Sequence, residues 1–479
     1  MKGIAKVLVP LAIFSCIGVA ILAILGKWVP AFVIALIPLT ILLICLYFVD
    51  RLVAFLLLFI INYFVPVLSH YVPNAPLGLL MDAAILFNIL VILCSYMSAN
   101  KKDWPQFSAL SKDLLFLTGI WLLYCFVEIL NPHMTDVKAW LSGLRSMALY
   151  FFFIILLVQL SVKDFSQVKT ILAVWSALVI LSAAKAAFQK YIGFTPGDIY
   201  FLDVMDGRRT HIIYYGTRYF SIFSDAANFG GSMGMALVVF LIAGFHTSNV
   251  AVKGYWWFVA ACACYGMFIS GTRSALVIPV AGILLYLLLV RDFKKMVPIG
   301  VLLGLVFCFL AYTNIGNSNA TIRRARTVFN RTEDLSYQIR KTNQKELRKL
   351  MKSMPIGNSL GMSGGRAKRY GDTSALTDIP TDSWFVQLWV ETGVIGQLLY
   401  FAIMAYIFIK GGIIIFFRLK KPEIKGLCAG MLSGVAGLFV MSSNNEVFTQ
   451  FPNGIIVYML LALVFMAPAL EKKLDGTAA

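Results

Sequence analysis

Nearly charge-free apolar runs of about twenty residues recur along this chain from Val7 almost to its C-terminus, and any fold must accommodate them first. A helix needs roughly 20 residues to cross a hydrocarbon layer of about 30 Å. Inside lipid each backbone amide and carbonyl must be paired within its own segment, so continuous runs of this length are helices. The alternating pattern of a membrane β-barrel strand is absent from them. With 60% hydrophobic and 13% charged residues, a chain of 479 residues has too little polar surface to cover a soluble globule. The expected fold class is therefore all-α, a polytopic transmembrane helical bundle.

About fourteen spans (12–14) are expected, roughly at 7–25, 29–49, 52–68, 79–97, 113–131, 139–160, 167–187, 226–245, 254–270, 273–290, 296–313, 384–409, 424–442 and 453–469. The first follows Lys2 and Lys6 without a convincing small-x-small cleavage site, so it reads as a retained span and not a signal peptide. All eight cysteines fall within apolar runs, where thiols serve as small packing groups; neither structural disulfides nor zinc are expected. If the N-terminus is cytoplasmic, the inward short loops carry Arg51, Lys101, Lys102, Lys163, Lys169, Lys253, Arg291, Lys420, Lys421 and Lys425. The outward short loops are then nearly free of Lys and Arg, which satisfies the positive-inside rule and puts both termini inside.

Four regions follow from this topology: N-terminal transmembrane helices at 1–190, central helices with arginine-bearing outer loops at 191–313, an extracytoplasmic loop at 314–383, and C-terminal helices at 384–479. The 314–383 loop holds 13 Lys/Arg against 6 Asp/Glu, about +7, which fits either contact with anionic headgroups or capture of a polyanionic substrate. Leu347, Leu350, Met351 and Met354 recur at helical spacing opposite Lys345, Arg348, Lys349 and Lys352. That spacing predicts an amphipathic helix on the membrane surface. Pro355 and Gly357 stop it, and the glycines that follow predict a mobile or tightly turning loop, either a lid or a linker.

Ionisable residues at membrane depth are costly and therefore informative. Arg145, Arg218 and Arg273 all fall at the outer face of the expected topology. Each alone reads as a residue snorkelling to headgroups. Three together suggest capture of phosphate, because a planar guanidinium donates paired hydrogen bonds and stays charged.

Four stretches carry a family resemblance: Arg218 to Gly231, the turn Ser270 to Ala275, Ser336 to Gly361 with its Pro-Ile-Gly-x-x-Leu-Gly ending, and Thr381 to Gly396 with Glu391, Gly393 and Gly396. Together, over roughly 210–410, they resemble the superfamily of O-antigen ligases and of O-antigen and exopolysaccharide polymerases. The resemblance implies a metal-independent glycosyltransferase, without cofactor, of the bacterial inner membrane. Its substrates would be an undecaprenyl diphosphate-linked glycan and a glycan or lipid-core acceptor; membrane lipids and polysaccharide assembly proteins are further expected partners, and nucleic acid is not. Arg218 and Arg273 would bind the donor diphosphate, with Arg340 and Arg145 as further candidates. The family's histidine position, nine residues before Glu391, holds Asp382, and its asparagine position holds Ser383. Asp382 would then stand in as catalytic base, or else cap the helix that begins near Trp384, with Asp378 the next candidate base. Glu391, some turns further along, is read as structural, as are Gly393 and Gly396 through close helix packing.

The departure at histidine inclines the expectation toward polymerase over ligase. A lipid-linked oligosaccharide flippase is the competing class, but alternating access is built around midplane charges and repeated halves. Here the charges gather at one end. A structural partner of the export machinery is the third possibility.

Overall fold

A computed structural model describes residues 50–71, 77–96, 110–213, 216–290, 335–371 and 374–476, with short pieces between 301 and 326. Eleven helices among them are long and apolar enough to cross a membrane. These are α1 (Arg51–Tyr71), α2 (Gly78–Ser95), α3 (Lys112–Leu130), α4 (Val137–Ser161), α5 (Phe165–Tyr191), α6 (Ala226–His246), α7 (Val250–Ile269), α8 (Arg273–Val290), α9 (Trp384–Arg418), α10 (Pro422–Met441) and α11 (Asn453–Gly476). Each coincides with one of the expected runs. The runs at 7–25 and 29–49 lie outside the described residues, as does most of 296–313. The described strands are one antiparallel pair, Ile212–Ile213 with Gly216–Thr217.

Burial sorts the helices into a centre and a periphery. The spanning windows of α6, α10 and α11 are 83%, 78% and 89% buried, whereas those of α2 and α3 are 33% and 28% buried and present most of their side chains outward. α6 packs against α7 and α10, α8 against α10, and the second half of α4 against α11. Lipid provides little driving force for helix association, so close approach depends on small side chains. At Gly434 of α10 an added Cβ would lie 2.8 Å from Val239 Cγ2 and 3.1 Å from the Met235 carbonyl of α6.

The two ends of the bundle differ in chemistry. At one end, Lys169 pairs with Glu423 at 2.8 Å, the Lys420 and Lys421 amides donate to the Glu471 carboxylate, and Lys473 Nζ donates to the Lys163 carbonyl at 3.1 Å. Many of the basic residues assigned to the inward loops are therefore gathered on one side. His246 closes α6 at this end and meets Tyr286 OH at 2.8 Å. The opposite end holds the start of α6, the α7–α8 turn, the start of α9 and the α10–α11 loop.

The 314–383 region differs from its expected form in two ways. Its amphipathic helix spans Leu335–Leu350, but its apolar side does not await a lipid surface. Leu347 and Met351 are buried against Leu376, Val386, Trp389 and Val390, so the start of α9 covers the apolar stripe. The glycine-rich stretch is not a free lid or linker either. Its first part is a turn folded into protein, with Asn358, Ser359 and Leu360 buried.

Glu391 anchors that turn. Its carboxylate accepts from the Gly361 amide at 2.6 Å, Ser363 Oγ at 2.5 Å and Gln387 Nε2 at 3.0 Å. Main-chain bonds run both ways, from the Asn358 amide to the Val390 carbonyl (2.8 Å) and from the Val394 amide to the Pro355 carbonyl (3.0 Å). The structural role expected of Glu391 thus takes the form of a clasp. Gly393 has φ 67° and ψ −171° and kinks α9, and a Cβ there would strike the Pro355 carbonyl oxygen. Its role is this backbone geometry and the docked turn, in place of the helix–helix contact expected from sequence. Gly396 does pack against a neighbouring helix, its position facing Tyr124 of α3.

Candidate functional site

The first wall of the site is the segment before α6. The Arg208–His211 turn leads into the short hairpin, which returns the chain so that the Arg218 amide donates to the His211 carbonyl at 2.8 Å. His211 is buried; its Nε2 accepts from the Ala226 amide at 3.1 Å, and its Nδ1 lies 2.8 Å from the Gly207 carbonyl. This network assigns the proton to Nδ1. Burial holds the imidazole pKa below its ordinary value; the Gly207 bond opposes that shift and the Arg218 charge reinforces it. His211 therefore supports the start of α6 as a neutral side chain. Asp225 caps α6, accepting from the Ala227 and Asn228 amides at 2.8 and 2.9 Å.

Arg218 is held in place by neutral groups. Nη1 donates to the Thr210 carbonyl at 3.1 Å and Nη2 to Thr272 Oγ1 at 3.0 Å, while Nε has no partner among the described residues. Thr272 belongs to the α7–α8 turn, made sharp by Gly271 at φ 59°. Burial lowers the affinity of Arg218 for its proton; Asp225 offsets this, and the charges of Arg273 and Arg340 add to it. Arg273 and Arg340, two more of the four expected arginines, thus lie within electrostatic reach of Arg218. Like charges gathered in a partly desolvated place attract an anion to balance them.

A cleft of about 650 Å³ adjoins this cluster. Thr210, Asp225, Arg340, Arg369, Asp382 and Glu446 are among its lining residues. The Leu335–Leu350 helix supplies Arg340 and, one turn later, Asn343, whose Nδ2 donates to Asp382 Oδ2 at 3.0 Å. Arg273 heads α8, and the next residue, Ser274, accepts from Asn445 of the cleft wall at 2.5 Å. Asp382 has φ 56° and is half-buried. It does not cap α9; Ser383 does so, accepting from the Phe385 amide at 3.2 Å, which leaves the Asp382 carboxylate turned to the cleft and to Asn343. Asp378 instead sits at the surface, paired with Lys368 at 2.8 Å, and is not among the residues lining this cleft.

Arg145 is not part of this group. It lines a second cleft of about 600 Å³, which shares Asp225, Arg369 and Gln450 with the first. Its Nε pairs with Asp82 Oδ2 at 3.0 Å, and Tyr150 OH donates to Asp82 Oδ1 at 2.8 Å.

Several of these residues carried signals that sequence reasoning passed over. Asp82 is an acid within an apolar run, the same mark that singled out the arginines. Glu446 is the sole carboxylate of the 442–452 loop and accepts a hydrogen bond from Thr381 beside Asp382. Arg369 has no such local mark; it is one base among many in its loop, and only folding brings it between the clefts.

Residues 258–401 match the O-antigen ligase family model (Wzy_C). The matched stretch contains Arg273, Arg340, the Pro355–Gly361 turn, Asp382 and Glu391, while Arg145 and Arg218 precede it. The match supports the O-antigen ligase superfamily and, generally, a membrane glycosyltransferase of the ligase or polymerase type. A comparison with curated proteins finds no match.

Proposed function

We propose that this chain joins glycans at the extracytoplasmic face of the bacterial inner membrane, taking them from undecaprenyl diphosphate and polymerising repeat units. The observation that carries this reading is the gathering of Arg218, Arg273 and Arg340 beside a cleft that also presents a carboxylate. In the proposed step the acceptor hydroxyl oxygen bonds to the anomeric carbon as the bond from that carbon to the diphosphate breaks. The hydroxyl proton passes to Asp382, and the electron pair leaves with undecaprenyl diphosphate. Fixed guanidiniums balance the charge that develops on this leaving group without reorganising. The polyprenyl tail has the apolar flank of the bundle available to it. Polymerisation is favoured over ligation because Asp382 stands where the superfamily's ligase-type histidine is expected.

Asp382→Asn tests the base. Asparagine is the residue that best tolerates a left-handed φ after glycine, and it keeps an oxygen for Asn343, so the fold is expected to survive. Polymer formation in membranes supplied with the lipid-linked repeat should fall by about 10²–10⁴-fold. A folded variant that polymerises at the wild-type rate removes Asp382 as base and points to Glu446.

Orientation is tested separately. Single cysteines at the exposed Lys352 and Lys472 are treated with an impermeant thiol reagent on intact spheroplasts. Position 352 is expected to label and position 472 to stay protected, and the reverse pattern would place the clefts in the cytoplasm.

A further inference from the structure

The second cleft has a composition unlike the first. Arg145 lies in a π-helical turn, Arg145–Leu149, inside α4. Such a turn displaces one residue of the helical ladder and re-aims its side chain, and these bulges often occur at functional sites. The guanidinium lies against Gly78, where any Cβ would overlap it, and meets Asp82 and Tyr150 on its other side. Arg145, 21% exposed, lines the cleft together with Tyr150, while Asp82 pairs with the guanidinium from outside the lining. Tyr150 stacks at a tilt on Phe451, centroids 5.3 Å apart, and Phe451 and Tyr370 also line the space.

A guanidinium already neutralised by its own carboxylate is poorly suited to a diphosphate. It offers donors and acceptors together, with no net charge. Asp82 accepts from Arg145 and Tyr150, which fixes both cleft-lining groups and balances the guanidinium charge. A charge-balanced guanidinium and a phenol beside aromatic faces form a set that hydrogen-bonds vicinal hydroxyls while the rings cover apolar C–H faces. From this geometry we infer that the cleft lined by Arg145 and Tyr150, with Asp82 holding both in place, is a subsite for uncharged sugar residues of the acceptor glycan. The inference rests on the transferase reading above. The donor's first sugar is bonded to the diphosphate and so must lie in the arginine cleft. Asp225, Arg369 and Gln450, common to both clefts, mark where the acceptor hydroxyl would enter it.

The test uses the full chain in lipid nanodiscs and two probes. One is the host's surface polysaccharide cut to single repeats, freed of lipid and end-labelled; the other is undecaprenyl diphosphate. Asp82→Asn and the gentler Tyr150→Phe should each weaken repeat binding about tenfold, as expected for loss of a hydrogen bond to a charged group. Undecaprenyl diphosphate binding should stay within about twofold of wild type, well under the tenfold step. Arg218→Ala should do the reverse. Unchanged repeat binding in folded Tyr150→Phe and Asp82→Asn overturns the subsite, as does parallel loss of both probes. Wild-type protein that binds undecaprenyl diphosphate but no repeat overturns the subsite and leaves the transferase reading intact. Repeat binding without undecaprenyl diphosphate binding supports the subsite and counts against the arginine cleft. Binding of neither probe overturns both.

Discussion

Arg218→Lys is expected to lower the initial rate of undecaprenyl diphosphate release by about 10²-fold or more while leaving a folded, membrane-inserted protein. Lysine keeps the charge, so a purely electrostatic role would survive the change. The guanidinium, however, is clamped by the Thr210 carbonyl and Thr272 Oγ1, which fixes its plane and position. An ammonium on a flexible stem cannot reproduce both wall bonds in one plane, so the charge is no longer fixed in place beside the cleft. The measurement is single-turnover transfer in nanodiscs, with chromatographic homogeneity as the folding control. A lysine variant within threefold of wild type, well short of the effect expected from losing such a donor, would show that Arg218 supplies charge alone.

A second large effect is expected at a position that lines neither cleft. Gly393→Ala should sharply reduce the yield of homogeneous protein or lower its melting temperature, whereas Gly254→Ala, in α7 with open space around it, should be nearly neutral. The backbone at Gly393 occupies a region essentially reserved for glycine, where other residues cost on the order of 1–3 kcal/mol. The methyl group would also displace the Pro355 carbonyl, breaking its 3.0 Å bond from the Val394 amide. Fluorescence-detected gel filtration after a heat ramp compares the two variants. Equal behaviour would mean that the turn is not held as described.

The spans were legible because hydropathy is a local property. Each apolar run declares itself without reference to the rest of the chain, and all eleven spanning helices among the described residues were readable in this way. The Leu335–Leu350 helix was legible by periodicity, but its partner was not. An apolar stripe reports that it is to be buried, without reporting whether lipid or the start of α9 will cover it. The same limit explains Arg145. Its depth was readable, yet Asp82 lies 63 positions away, and nothing in spacing pairs them. Asp382 and Ser383 are adjacent, and both are good caps by residue type. Only the left-handed φ of Asp382 decided that Ser383 takes the cap and Asp382 turns to the cleft.

The clasp formed by Glu391 bears on how such chains can be recombined. The 355–363 turn and the first turns of α9 hold one another through a buried carboxylate, crossed main-chain bonds and two facing glycines. Neither half retains its shape if the other is exchanged, because a foreign turn would deprive the buried carboxylate of the Gly361 and Ser363 donors and leave it only Gln387. In chimeras between relatives the smallest transferable block is therefore the whole stretch from Pro355 to Gly396. A crossover placed in the loop between Ser363 and Asp382 divides one unit in two, whereas crossovers outside that block leave the unit whole.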